Sequence, residues 1–154
     1  MTVRPMKTGD YAAYCMLLRE VHSMHAENRP DIFKEQPVFP DEGGFEKMLS
    51  DPEAVCLAAE EAGEMIGMCL MEVRMPKAAH VHHRPFGWIG DLCVRSDHRG
   101  RGIGRDLYRA MKEKAREMGL VRIELMVWAF NESAKRFYER LGMTVRSDTM
   151  EERL

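Results

Sequence analysis

Val94-Arg95-Ser96-Asp97-His98-Arg99-Gly100-Arg101-Gly102-Ile103-Gly104-Arg105 is the stretch from which the rest of the chain is read. The run before it, Trp88-Ile89-Gly90-Asp91-Leu92-Cys93-Val94, is apolar and strand-like, and an amphipathic helix begins at once after it. Three glycines at alternate positions therefore sit in a strand-to-helix turn. The first N–H groups of a helix have no intrahelical acceptor, and the helix dipole places roughly half a positive elementary charge at the same end. Glycines let such a turn aim several N–H groups at one point, and Arg99, Arg101 and Arg105 surround that point with full charges. The chemistry favoured is binding of a phosphate or pyrophosphate. Neither common nucleotide signature is present: GxxxxGKS/T is absent, and the glycines fall as GxGxG rather than GxGxxG.

Downstream, Ile103, Leu107, Met111, Ala115 and Met118 form one helical stripe, and Gly119 suits a left-handed cap at its end. Alternation of Val121, Ile123, Leu125 and Val127 with Arg122, Glu124, Met126 and Trp128 predicts a strand over 121–128. Asn131 is placed to cap a last helix with Ala134, Phe137 and Leu141 inward and Gly142 as its stop; 143–153 is expected to close the sheet as a strand. Upstream, Thr2–Met6 reads as a strand. A helix follows, capped by Thr8 or Asp10, with Tyr14, Leu17, Leu18 and Val21 inward and a break at Arg29-Pro30-Asp31. A loop over 31–40 leads to a short helix from Asp41 to Ser50. Ala54–Glu60 and Met65–Arg74 are then joined by Glu61-Ala62-Gly63-Glu64 as a hairpin, and 75–86 is a histidine-rich loop. The order β-α-α-β-β-β-α-β-α-β predicts a single α/β domain, a mixed sheet with helices on both faces.

Composition bounds the function. At 154 residues, 45% hydrophobic and 31% charged, the chain has the size and make-up of one globular domain. A net charge of −2 gives no global case for a nucleic-acid or membrane partner, although residues 95–122 carry nine Lys/Arg against four Asp/Glu around the glycine turn. Cys15, Cys56, Cys69 and Cys93 have no CxxC spacing and are expected as free thiols in a reducing compartment. With no signal peptide, membrane span or lipidation motif in the sequence, a cytoplasmic location is the expectation.

A second motif narrows the turn's meaning. Asn131-Glu132-Ser133-Ala134 is followed by Phe137-Tyr138-Glu139-Arg140-Leu141-Gly142-Met143, about thirty residues beyond the turn. In isolation Asn131 is a helix cap and Tyr138 a face residue. Taken together, Arg-x-x-Gly-x-Gly between strand and helix and Asn-x-x-Ala-x-x-x-Tyr-x-x-x-Gly after the next strand resemble the GCN5-related N-acetyltransferase (GNAT) superfamily. Within it, the Asp91–Arg105 and Asn131–Gly142 blocks are similar to the spermidine/spermine acetyltransferases. The resemblance implies an α/β fold with a mixed, mostly antiparallel twisted sheet flanked by helices and a splayed central strand pair. It implies acetyl-CoA as co-substrate and a homodimer.

Carried over position by position, the resemblance implies that Leu92, Cys93 and Val94 meet the pantetheine arm. Arg99, Gly100, Arg101, Gly102, Ile103, Gly104 and Arg105 would hold the pyrophosphate, with Asn131, Ser133 and Ala134 on the opposite wall. Tyr138 would protonate the departing thiolate, its ordinary pKa of ~10 lying near that of an alkyl thiol. The polyamine enzymes carry Glu-Asp where this chain has Gly90-Asp91. Gly90 takes no proton, so Asp91 is the candidate base, facing away from Gly90 unless a bulge intervenes; a water-relayed base or capture of the neutral amine are the alternatives. Candidate acceptor residues are His22 and His25, three apart on one helix face, with Glu72 and Trp128. Their bland readings are capping or surface histidines, a solvent-facing Glu and a core-covering Trp. No third ligand accompanies the histidine pair, so no metal is expected. The reading is transfer of an acetyl group to a primary amine of a small molecule in a ternary complex, with protein N-terminal or lysine acetylation and non-catalytic acyl-CoA binding as alternatives.

Overall fold

A computed structural model describes residues 1–154. The chain runs β1 (Thr2–Pro5), α1 (Tyr11–Asn28), α2 (Glu42–Ser50), β2 (Ala54–Glu61), β3 (Glu64–Arg74), β4 (Phe86–Val94), α3 (Ile103–Glu117), β5 (Ile123–Leu125) and α4 (Glu132–Arg140). The five strands form one sheet in sequence order. All neighbours are antiparallel except β4 and β5, which are parallel. This is the GNAT arrangement that the motif resemblance implied.

Each sheet face has its own core. Leu57, Ile66, Cys69, Met71 and Ile89 pack against Ile103, Leu107, Met111 and Ala115 of the predicted stripe of α3, joined by Tyr108; Met118, expected on the same stripe, is exposed where the helix ends. On the other face Ala58, Met65, Met68 and Cys93 meet Tyr14, Leu17 and Phe45 of α1 and α2. Asp41 caps α2 by accepting from the Gly44 N–H (2.7 Å), as expected of an Asp at the N-cap. Asp10 stands at the N-cap of α1 but makes no cap bond. Its carboxylate instead takes both terminal nitrogens of Arg4 (2.7 and 2.9 Å) and the Lys7 N–H (2.8 Å), tying β1 to the helix start.

Two expected strands are corrected. The strand predicted over 121–128 shrinks to Ile123–Leu125, because its only partner is the beginning of β4, at Gly87, Trp88 and Ile89. Alternation encodes which way side chains face, not how far a partner extends. The closing strand over 143–153 is absent: no residue beyond Met143 joins a backbone–backbone hydrogen bond. That charged tail is held by ion pairs instead, Arg146 with Glu124 (2.8 Å), Glu151 with Arg29 (2.7 Å) and Arg153 with Asp31 (3.1 Å).

Candidate functional site

The turn after β4 builds the first part of the site. Gly100 and Gly102 hold φ of +78° and +84°, a region that residues with a Cβ enter only at a cost of about 1–2 kcal/mol. Gly102 is also the N-cap of α3. The first bond returned to this turn is Asp106 N–H to Gly102 O (3.1 Å), and the N–H groups of Gly100, Arg101, Gly102, Ile103, Gly104 and Arg105 donate to no protein acceptor. Six consecutive donors thus stand at the positive end of a fifteen-residue helix. The surrounding guanidiniums are anchored elsewhere: Arg101 on Glu61 (2.8 and 3.0 Å), Arg105 on Asp106 (3.3 Å) and Arg99 on Glu20 (3.0 Å).

The second part is the free edge of β4. Arg95 N–H donates to Ile66 O (2.9 Å), which marks a bonded pair in the β3–β4 ladder. Counting back from it by twos, Cys93 opposite Met68 and Asp91 opposite Leu70 hold the bonded positions. The N–H and C=O of Leu92 and Val94 therefore face away from β3. Because β5 ends at Leu125, opposite Ile89, nothing in the sheet meets them. The strands part after Ile89 and leave a cleft that runs toward the glycine turn, along one wall of which no strand meets the β4 backbone; only Arg99 Nε reaches it, at the Val94 carbonyl (2.9 Å).

A bulge sits at the apex of that cleft. Leu70 pairs with Asp91 and Met71 with Ile89, so Gly90 is the extra residue. The bulge reverses the alternation: Ile89 packs in the α3-side core, whereas Asp91 lies with Leu70 and Cys93 on the α1 side. This is the circumstance under which Asp91 joins the face vacated at Gly90, where a built Cβ would meet no atom within 4 Å. The Asp91 carboxylate is half-buried with no hydrogen-bond partner in the protein, and burial pushes its pKa above the ordinary carboxylate value. Burial, with a smaller contribution from the Asp91 charge, pushes the neighbouring Tyr14 phenol up to about 12. Burial is also the main cause of the upward shift of Tyr138, to which Cys69, Tyr108 and Asp91 add. Tyr138 packs beside Tyr108 (ring centroids 6.2 Å), and its hydroxyl has no protein partner and is not sealed from solvent.

The remaining predicted residues divide. Asn131 caps α4, its side-chain oxygen accepting from the Ala134 N–H (3.1 Å) and Ser133 Oγ (3.0 Å), which leaves its amide hydrogens unspent. Cys93 does not face the cleft: its side chain is buried on the α1 face with Sγ 3.6 Å from Leu17 O, and its backbone bonds to β3. Alternation sets it apart from Leu92 and Val94. His25 and Trp128 come together in an aromatic cluster with Phe33 and Phe130: His25 stacks on Phe33 at 5.0 Å and Trp128 lies 5.2 Å from the same ring. Burial, with His22 nearby, holds the His25 imidazole below its ordinary pKa despite a hydrogen bond to the Val21 backbone. His22 touches the edge of this cluster and shares a hydrogen bond with Lys34 O (2.7 Å). Glu72 is not in the cluster. It stands on the sheet opposite Trp88, its carboxylate bound by Arg74 (2.6 Å).

Sequence reasoning missed Phe130, Glu20 and Glu61. The last two reach the turn from 79 and 40 residues away, and no local pattern marks such a pair. The bulge did carry a signal, an isolated glycine inside a strand pattern.

Known proteins share this architecture. The BH1408 protein of Bacillus halodurans, in a tetramutant structure, superposes over the whole length of both chains with a TM-score of 0.92 at 31% identity. An aminoglycoside N-acetyltransferase AAC(6')-Iy in complex with CoA shares the fold at a TM-score of 0.76 and 14% identity, with 99% of this chain and 98% of that one covered. In sequence, the aminoalkylphosphonate N-acetyltransferase of Salmonella typhimurium is 34% identical over 64% of this chain and 62% of its own length. A mycothiol acetyltransferase of Propionibacterium freudenreichii is 36% identical over 63% of this chain and 30% of its own. The chain thus spans less than two thirds of either of these relatives. The Acetyltransferase (GNAT) family model matches residues 18–143, from the middle of α1 through α4, and so takes in every element that shapes the cleft. On that match, the chain belongs to the GNAT acetyltransferase family.

Proposed function

We propose that this protein is an acetyl-CoA-dependent N-acetyltransferase acting on a primary amine of a small molecule by direct attack in a ternary complex. The observation that carries the reading is the row of six unpartnered N–H groups from Gly100 to Arg105, set at the mouth of the cleft along β4. A pyrophosphate needs convergent donors with no side chain in the way, and this turn offers them. An extended arm bearing amides needs a strand edge that no other strand occupies, and Leu92 and Val94 offer one, with Arg99 Nε on the Val94 carbonyl as its single hydrogen-bond partner, in the manner of strand addition. Asn131 presents its free amide hydrogens at the head of α4.

When bound, acetyl-CoA supplies an activated thioester acyl group. The chain's own residues do the rest. The Leu92 N–H is placed to polarise a carbonyl laid against this edge. Asp91, made more basic by burial, takes a proton from the incoming ammonium, directly or through water, at the open space beside Gly90. Tyr138 is kept protonated by burial and donates its proton to the leaving sulfur. His25, Phe33, Trp128 and Phe130 wall the approach for the acceptor.

The names of some relatives support a small-molecule acceptor: an aminoalkylphosphonate N-acetyltransferase, a mycothiol acetyltransferase and, among structural neighbours, an aminoglycoside N-acetyltransferase. The motif likeness to spermidine/spermine acetyltransferases adds polyamines to the class. CoA release measured across a panel of such amines tests the reading. At least one amine is expected to turn over, and Tyr138→Phe is expected to lower kcat about 10²-fold, the ordinary contribution of a general acid. Unchanged kcat in Tyr138→Phe overturns its role. CoA binding without turnover on any amine or peptide overturns the enzymatic reading.

A further inference from the structure

Arg99 is not turned toward the six free donors. Its Nε donates to the Val94 carbonyl (2.9 Å), and one terminal nitrogen donates to Oε2 of Glu20 on α1 (3.0 Å). Val94 O is a cleft-facing acceptor on the free edge of β4, so the guanidinium covers the place where an amide laid along that edge would bond. The Glu20–Arg99 pair lines an open groove of about 530 Å³, together with Met16, Ser23, Glu27 and Ser96. Arg99 has no other acidic partner. Nε and one terminal nitrogen are spent on these two bonds, which hold the guanidinium back over the strand edge; turning that same edge toward a phosphate held by the turn means releasing both.

We propose that Glu20 is a positioning residue that acts through Arg99, holding the guanidinium over Val94 O until a phosphate-bearing donor draws it away. The inference rests on the acyl-CoA reading above. The phosphate end of the donor then does two things in one movement: it gains Arg99, and it bares the strand edge for the amide-bearing arm. Carboxylate and phosphate both take charge-assisted bonds from Arg, but the exposed Glu20 pair is weak and a pyrophosphate fixed on the turn carries more negative charge than one carboxylate, so the exchange runs forward with CoA. A donor arm lacking phosphates has nothing to offer Arg99 and meets it only as a competitor for Val94 O.

The two ligands should therefore respond to Arg99 with opposite signs. Binding of CoA and of pantetheine to the intact protein tests this, by calorimetry for CoA and by ligand-observed NMR titration for pantetheine. Arg99→Ala should weaken CoA about 10-fold while tightening pantetheine about 3-fold, each difference being one or a fraction of one 1.4 kcal/mol step. Glu20→Gln should tighten CoA about 3-fold in the native background, a fraction of the same step, and do nothing in the Arg99→Ala background. Glu27→Gln, in the same groove but paired with no arginine, measures the effect of removing a negative charge from the neighbourhood. The proposal is overturned if Arg99→Ala weakens both ligands or leaves pantetheine undetectable, if Glu20→Gln acts equally in both backgrounds, or if Glu27→Gln matches Glu20→Gln. Those outcomes leave the CoA reading intact. Native protein that is folded yet binds no CoA overturns that reading and this inference with it.

Discussion

Asp91, the proposed base, is the residue on which the proposed catalysis and stability pull in opposite directions. Its carboxylate is half-buried without a hydrogen-bond donor, and burial raises its pKa above the ordinary value of 3.8. A raised folded-state pKa means that between the two values the folded protein binds more protons than the unfolded chain. Stability contributed here is present below the unfolded pKa and is lost as pH rises through the folded one. Asp91→Asn is therefore expected to be more stable than the native protein at pH 7, with the gain vanishing near pH 3, as measured by urea unfolding at both pH values. Activity should move the other way. The acid limb of kcat/KM for the amine should titrate above the usual carboxylate range and disappear in Asp91→Asn, along with about 10²-fold of rate. An unchanged acid limb in that variant moves the base elsewhere. Asp91 was legible in the sequence as a candidate, but its orientation was not: a one-residue bulge decides the face, and only the pairing with Leu70 shows it. Cys93 is the converse case, adjacent to the right residues and turned the wrong way by simple alternation.

Among the elements, the helices were the most legible, because each carries its stop signals and an inward stripe: α3 buries Ile103, Leu107, Met111 and Ala115, and α4 starts on the Asn131 cap. Strand extent was less so, since a strand ends where its partner does. The hairpin between β2 and β3 is legible in Glu61-Ala62-Gly63-Glu64, and its geometry exposes a fault that can be tested. Ala62 holds φ of +51° and Gly63 φ of +83°, the two-residue turn in which both central positions are left-handed. Alanine is a poor occupant of the first, and Asn-Gly is the favoured pair there. Ala62→Asn should raise stability by roughly 0.5–1 kcal/mol, a rise in Tm of ~1–4 °C for a chain of this length. A lower Tm in scanning calorimetry would contradict that account of the turn. Both glutamates flanking the tip reach the loop after β4, Glu61 through Arg101 and Glu64 through Arg95, so the hairpin also braces the glycine turn.

At the scale of the molecule, one departure from regular pairing produces the site. β4 stays with β3 to its end but leaves β5 after Ile89; the bulge at Gly90 marks the parting, and the turn at Gly100–Arg105 stands at the far end of the opened edge. The donor half of this site is written in local motifs, each within a dozen or so consecutive residues, so the sequence displays it directly. The proposed acceptor half is assembled from α1, the loop after it and the loop after β5, segments joined by packing of His25, Phe33, Trp128 and Phe130. Titration of the ¹⁵N-labelled protein with CoA, followed through its backbone amide resonances, tests the central claim most directly. The amides of Gly100 to Arg105 should shift together and saturably, with Leu92 and Val94 following, while Gly119, beyond the other end of α3, stays still. Saturable CoA binding that leaves the Gly100–Arg105 amides unmoved would contradict the account.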